Sequence, residues 1–217
     1  MLEKIIQGGP LMIPLLICSV LALAAIFDRF IAFRANSKVD VRALRAEVLK
    51  LLAEGRDADA LVLCANTPGP VAAVMLVGLK NYAKLKESNQ HADSMRLIMA
   101  KAMDDYSVHA MSAVEKRFNV LSTVGNSAPL FGMTGTVTGM INSFDKLAGA
   151  GALDAGLVAG GISEALITTA SGLLVALFAV IPLNLFTSMS ERITLDIEEA
   201  ASELVEFATS QANSKQA

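Results

Sequence analysis

The stretch that decides the fold runs from Gly161 to Asn184 and reads GISEALITTASGLLVALFAVIPLN. A helix of roughly 20 predominantly apolar residues crosses the ~30 Å hydrocarbon core of a bilayer, and this stretch with its flanks exceeds that length. Its one formal charge is Glu164, followed by Thr168, Thr169 and Ser171. A charge set into an apolar helix costs about 2.5–3.5 kcal/mol on insertion scales, so the carboxylate belongs beside a cavity or a partner, or near the outer surface where it can snorkel to water. Helical spacing puts Glu164, Thr168, Ser171 and Val175 on one stripe and turns Thr169 away from them.

The rest of the chain extends this reading. With 53% hydrophobic residues and a mean hydropathy of +0.52, the composition is richer in apolar side chains than that of an ordinary soluble domain. The pattern predicts an all-α integral membrane protein with three transmembrane helices at residues 10–33, 119–145 and 157–187. Asp28 and Arg29 follow the first apolar run where a signal peptide would need small residues for cleavage, so that run is a retained span. Tryptophan is absent, and Phe27, Phe30 and Phe33 are the nearest substitutes for an interfacial aromatic belt.

Lysine and arginine near the span ends set the orientation. Arg29, Arg34, Lys38, Arg42 and Arg45 follow the first span, and Lys116 and Arg117 precede the second. Residues 34–118 are therefore expected in the cytoplasm. The amino-terminal residues 1–9 and the link 146–156, poor in positive charge, belong on the opposite side, and residues 188–217 return to the cytoplasm.

The cytoplasmic residues read as helices. Val41, Leu44, Val48, Leu51 and Leu52 recur at helix spacing, "TPGP" at Thr67 to Pro70 interrupts, and a second helix spans Val71 to Lys86. From Ala92 no glycine or proline intervenes until Gly125, which predicts one long helix running into the second span. After the third span, Ile193, Ile197, Ala200, Leu204 and Phe207 form an apolar stripe, and the tail "SQANSKQA" is expected to fray.

The second span contains APLFGMTGTVTGMINSF, residues 128–144, crowded with glycine and hydroxyl side chains that lipid anchoring does not require. Gly135 and Gly139 form a GxxxG pair, a spacing that lets helix backbones approach closely in lipid. Gly125, Pro129, Gly132, Thr136, Met140 and Ser143 share one face; Ser127, Thr134, Thr138 and Asn142 share another. Pro129 and Pro182 are candidates for kinks, and each serine or threonine has the simpler use of bonding back to a carbonyl one turn earlier.

Several function classes fall away. A formal charge of −3 without a basic strip interleaved with aromatics gives no nucleic-acid surface. Cys18, Cys64, His91 and His109 stand apart from one another at no metal-ligand spacing, so neither a metal, a disulfide nor a cofactor is expected. There is no P-loop, no pair of catalytic carboxylates and no nucleophile beside a base, so no enzyme is expected either.

FGMTGTVTGMINSF at residues 131–144, followed by GISEALITTASGL at 161–173, is similar to the paired signatures of the ExbB/TolQ/MotA proton-channel family, closest to its ExbB/TolQ branch. In that branch a G-T-V-x-G-[IM] segment precedes G-I-x-E-A-L-x-x-T-A. The chain departs at Thr138, where a large aromatic is common. The resemblance implies a bacterial inner-membrane channel or stator subunit. A homopentamer would surround a dimer of single-span ExbD/TolR-like partners and convert proton-motive force into work on periplasmic or outer-membrane processes. It places pore positions at Glu164, Thr136 and Thr169, whereas the helical wheel favours Thr168 beside Glu164. The lone carboxylate suits Na⁺ as well as H⁺. The rival reading is a non-conducting scaffold of an envelope or secretion complex; a solute transporter would call for an inverted repeat that three spans do not provide.

Overall fold

The structure, a computed structural model, describes residues 8–37, 39–87, 91–150 and 155–216. The expectations for residues 1–7, for the centre of the link at 151–154 and for Ala217 lie outside the described residues. Those described form helices, turns and loops only: α1 (Met12–Asn36), α2 (Val41–Ala53), α3 (Asp57–Asn66), α4 (Pro70–Glu87), α5 (Ala92–Val114), α6 (Phe118–Ala150) and α7 (Ala155–Gln216).

The chain divides into two units. The first comprises residues up to Phe30 together with Arg117–Phe186, and so holds most of α1, all of α6 and the first half of α7. Small residues bring its helices together: Ala22 and Ala25 of α1, Ala128 of α6, and Ala165 and Ala179 of α7 are buried. Leu15, Leu121 and Phe186 are buried with them, but many of its large apolar side chains face outward. Ile17, Val20 and Phe27 on α1, Leu130, Met133 and Phe144 on α6, and Leu166, Phe178 and Leu185 on α7 are all exposed. A soluble fold would bury such side chains, and bands of them on every helix mark a surface meant for lipid or protein.

Two helices, α1 and the Val158–Asn213 part of α7, are long and apolar enough to cross a membrane. Only 22% of each apolar window is buried, so neither resembles the core helix of a soluble protein. The expected second span is a helix of 33 residues, α6, but its glycine, threonine, serine and asparagine content leaves it less apolar than those two.

The second unit holds Ile31–Lys116 and Thr187–Ala217. Its interior is conventional: Val48 of α2, Ala60 and Cys64 of α3, Val74, Met75 and Leu79 of α4, Met99 and Met103 of α5, and Ile197, Ala200 and Leu204 of α7 are buried. The apolar stripes read from the sequence thus form one core. Gly78 lies where a Cβ would come within 2.7 Å of Leu204, which lets α4 and α7 approach. Asp40 caps α2 by accepting a hydrogen bond from the Ala43 amide at 3.1 Å. Arg45 pairs with Glu199 at 2.8 Å and tethers α2 to α7.

Three expectations are corrected. The long helix from Ala92 into the second span is two helices, α5 and α6, because Glu115–Arg117 leave the helical path and Arg117 takes φ +73°. The left-handed turn is held by an ion pair between Arg117 and Asp28 at 2.9 Å, a tertiary contact no local pattern encodes. The helix expected between Val41 and the TPGP break is likewise two, α2 and α3, separated at Gly55, whose φ of +74° suits glycine. The tail expected to fray continues as helix to Gln216.

Candidate functional site

Helices α6 and α7 meet along a line of glycines in the first unit. An added Cβ at Gly125 would come within 2.6 Å of Val180, one at Gly132 within 3.1 Å of the Thr169 Cα, and one at Gly135 within 2.5 Å of the Thr168 side chain. Gly139 faces Ala165 at 3.1 Å, and from the other helix Gly172 faces the Ala128 carbonyl at 2.6 Å. Gly161 is filled against by Ser143. The rising series on α6 meets a falling series on α7, so the helices run antiparallel with backbones nearly touching. Of the residues assigned by the wheel to the face of Gly132, Met140 is exposed and Thr136 is half-buried. The packed face turns instead toward Gly135 and Gly139.

Both threonines of α7 are occupied. Thr169 donates its hydroxyl across the helix pair to the Gly132 carbonyl at 2.8 Å. Thr168 is 1% exposed and has two carbonyl acceptors in reach, Gly8 at 2.6 Å and Glu164, one turn back on its own helix, at 3.0 Å. Most other hydroxyls make the simpler bond. Thr134, Thr136, Ser143 and Ser171 donate to Leu130, Met133, Gly139 and Ile167 at 2.7–2.8 Å.

Glu164 is half-buried. It borders a cavity of about 330 Å³ with Thr168, Gly135 and Gly139, the α6 side chains Thr134, Thr138 and Asn142, and Gly8, Pro10 and Leu11 from the start of the chain. A second hollow, of about 400 Å³, lies along Thr134, Thr136 and Val137 of α6. The cavity therefore gathers Glu164 and Thr168, while Thr136 opens outward and Thr169 belongs to the helix contact. Pro129 and Pro182 sit inside continuous helices, where each removes an amide donor and frees a carbonyl one turn earlier.

Sequence reading missed the part played by Gly8 to Leu11. The signal was present as Gly-Gly-Pro before the first span, a flexible pair followed by a rigid residue. It also missed that Asp28 bridges Arg29 at 2.8 Å and Arg117 at 2.9 Å.

A lone carboxylate thus borders a hydroxyl- and amide-lined cavity between tightly packed helices with apolar exteriors. Residues 66–199 match the model of the MotA/TolQ/ExbB proton channel family, and the chain belongs to that family. It is 30% identical over 195 residues to a biopolymer transport protein, ExbB-like 1, of Synechocystis sp., covering 88% of this chain and 72% of that one. It is 35% identical over 185 residues to the Tol-Pal system protein TolQ of Pseudomonas aeruginosa, covering 83% and 78%. It is 27% identical over 154 residues to the biopolymer transport protein ExbB of Neisseria gonorrhoeae, covering 67% and 68%. These relatives support the ExbB/TolQ branch.

Proposed function

We propose that this chain is the channel and stator subunit of an inner-membrane motor driven by proton-motive force. The observation that carries the reading is Glu164, a lone carboxylate on an apolar helix opening into the cavity shared with Thr168, Thr134, Thr138 and Asn142. Helix α6 is the second span in this reading, despite its lower apolarity, because its small and polar residues face α7 and the cavity while Leu130, Met133 and Phe144 face outward. Residues 1–9 and the α6–α7 link lie in the periplasm, and residues 34–118 and 188–217 in the cytoplasm. Five copies enclose a dimer of a single-span ExbD/TolR-type partner that supplies a second acid, and Thr136 and Thr169 lie toward the pore. One proton falling through 100 mV releases about 2.3 kcal/mol, enough to drive a conformational step of that size.

The test is Glu164→Gln, which keeps size and hydrogen bonding while removing the charge. Proton-driven work is expected to be abolished with the complex still assembled, the copy number being counted by native mass spectrometry. Thr169→Val is expected to reduce coupling. Full activity of Glu164→Gln would refute the ion-path role and return the chain to the scaffold reading.

A further inference from the structure

The segment Gly8–Leu11 lies against Glu164, and its chemistry is built for that position. Gly9 has φ +71°, and the space a Cβ would fill there is taken by the Glu164 carboxylate. At Gly8 a Cβ would lie 2.5 Å from Met12, and the carbonyl accepts the Thr168 hydroxyl. The carbonyls of Gly9 and Pro10 accept from the Met12 and Ile13 amides at 3.1 and 3.2 Å, which ties the segment to the first turn of α1. Gly8, Pro10 and Leu11 wall the cavity that Glu164 borders.

We propose that Gly8–Leu11 is a strap that controls access to the Glu164 carboxylate, and that Thr168 is the positioning residue that holds it closed. The two acceptors of Thr168 give the device its two positions. With the strap down, the hydroxyl donates to Gly8; with the strap lifted, it donates to the Glu164 carbonyl on its own helix. Opening therefore strands no buried donor, which would otherwise oppose it strongly. The inference deepens the proposed function and rests on it for the identity of the gated ion, but the geometry concerns access to Glu164 whatever ion follows.

The test measures access directly. The assembled full-length protein in lipid vesicles is treated with a hydrophobic carbodiimide, and the adduct on the Glu164 peptide is followed by mass spectrometry. Thr168→Val is expected to raise the modification rate by about two- to tenfold, the shift expected from losing one hydrogen bond. Thr168→Ser, which restores the hydroxyl, is expected to return it to the wild-type value. Gly9→Ala, which displaces the strap without altering α7, is expected to raise it as well. Ser171→Ala, whose hydroxyl bonds back to Ile167, leaves the rate unchanged. Should Thr168→Val fail to assemble, Gly9→Ala decides the question alone. A wild-type rate in either variant, or a Thr168→Ser rate as fast as that of Thr168→Val, overturns the strap. Accelerated labelling together with full transport by Glu164→Gln would uphold the strap and refute the ion-path reading.

Discussion

At Gly172 the backbones of α6 and α7 are close enough that a single methyl group has no room: it would sit 2.6 Å from the Ala128 carbonyl and 3.1 Å from the Gly132 Cα. Neither neighbour is the flexible end of a side chain, so the helices themselves would have to part. Gly172→Ala is expected to destabilise the protein by about 1–3 kcal/mol, the usual range for overpacking. At Gly160, where an added Cβ meets nothing within 4 Å, alanine is expected to be neutral or to stabilise by about 0.4–1 kcal/mol through the unfolded chain. Thermal unfolding of the two variants in the same detergent measures the contrast, and equal melting temperatures would refute the packing account. The motif spelling could not separate these glycines. GxxxG drew attention to Gly135 and Gly139, yet the tightest backbone approach from α7 is Gly172, whose neighbours come from a helix 40 residues away in sequence at Gly132. Thr168 and Thr169 show the same limit, since each found a carbonyl partner distant in the chain.

Periodicity located helices well, because a buried face leaves its 3.6-residue signature in the sequence. Pro70–Glu87 and the start at Ala92 were legible from "TPGP" and the apolar spacing. The break at Glu115–Arg117 was not, because lysine and arginine are good helix formers and the turn depends on Asp28. Electrostatic tethers between elements were equally hidden. The Arg45 guanidinium beside Glu199 holds that carboxyl below its ordinary value of 4.5. A carboxyl with a lowered pKa in the folded state adds stability above its unfolded pKa, and this is lost as pH falls through the folded one. Wild type is therefore expected to melt above Glu199→Gln at neutral pH, with the gap closing as the pH drops below about 4.5. A gap independent of pH would show that the Arg45 pair contributes nothing to holding α2 on α7. Because Glu199 is well exposed, the effect is expected to shrink in high salt.

For the molecule as a whole, the orientation expected from lysine and arginine is open to a chemical test. In a variant lacking Cys18, a cysteine replacing the exposed Lys101 of α5 is expected to escape a membrane-impermeant maleimide in intact cells and to react after permeabilisation. Native Cys64 does not interfere, since burial pushes its thiol up to about 11 and leaves little thiolate at neutral pH. Labelling in intact cells would invert the topology. The outward-facing apolar side chains on α1, α6 and α7 belong to this scale too, because only the folded unit reveals that they share no common core.

The sequence by itself determined the helical class, the family and the lone acid, because each rests on information carried locally: apolar length, residue spacing, and two ordered motifs containing Glu164. Its charge pattern also set the expected orientation. Tertiary structure alone decided which glycines bring backbones together, where the long helix breaks, and that Gly8 and Gly9 close over Glu164. Those outcomes depend on contacts between residues as far apart as Gly8 and Thr168, and helical spacing orders side chains around one axis without specifying which distant segment will meet them.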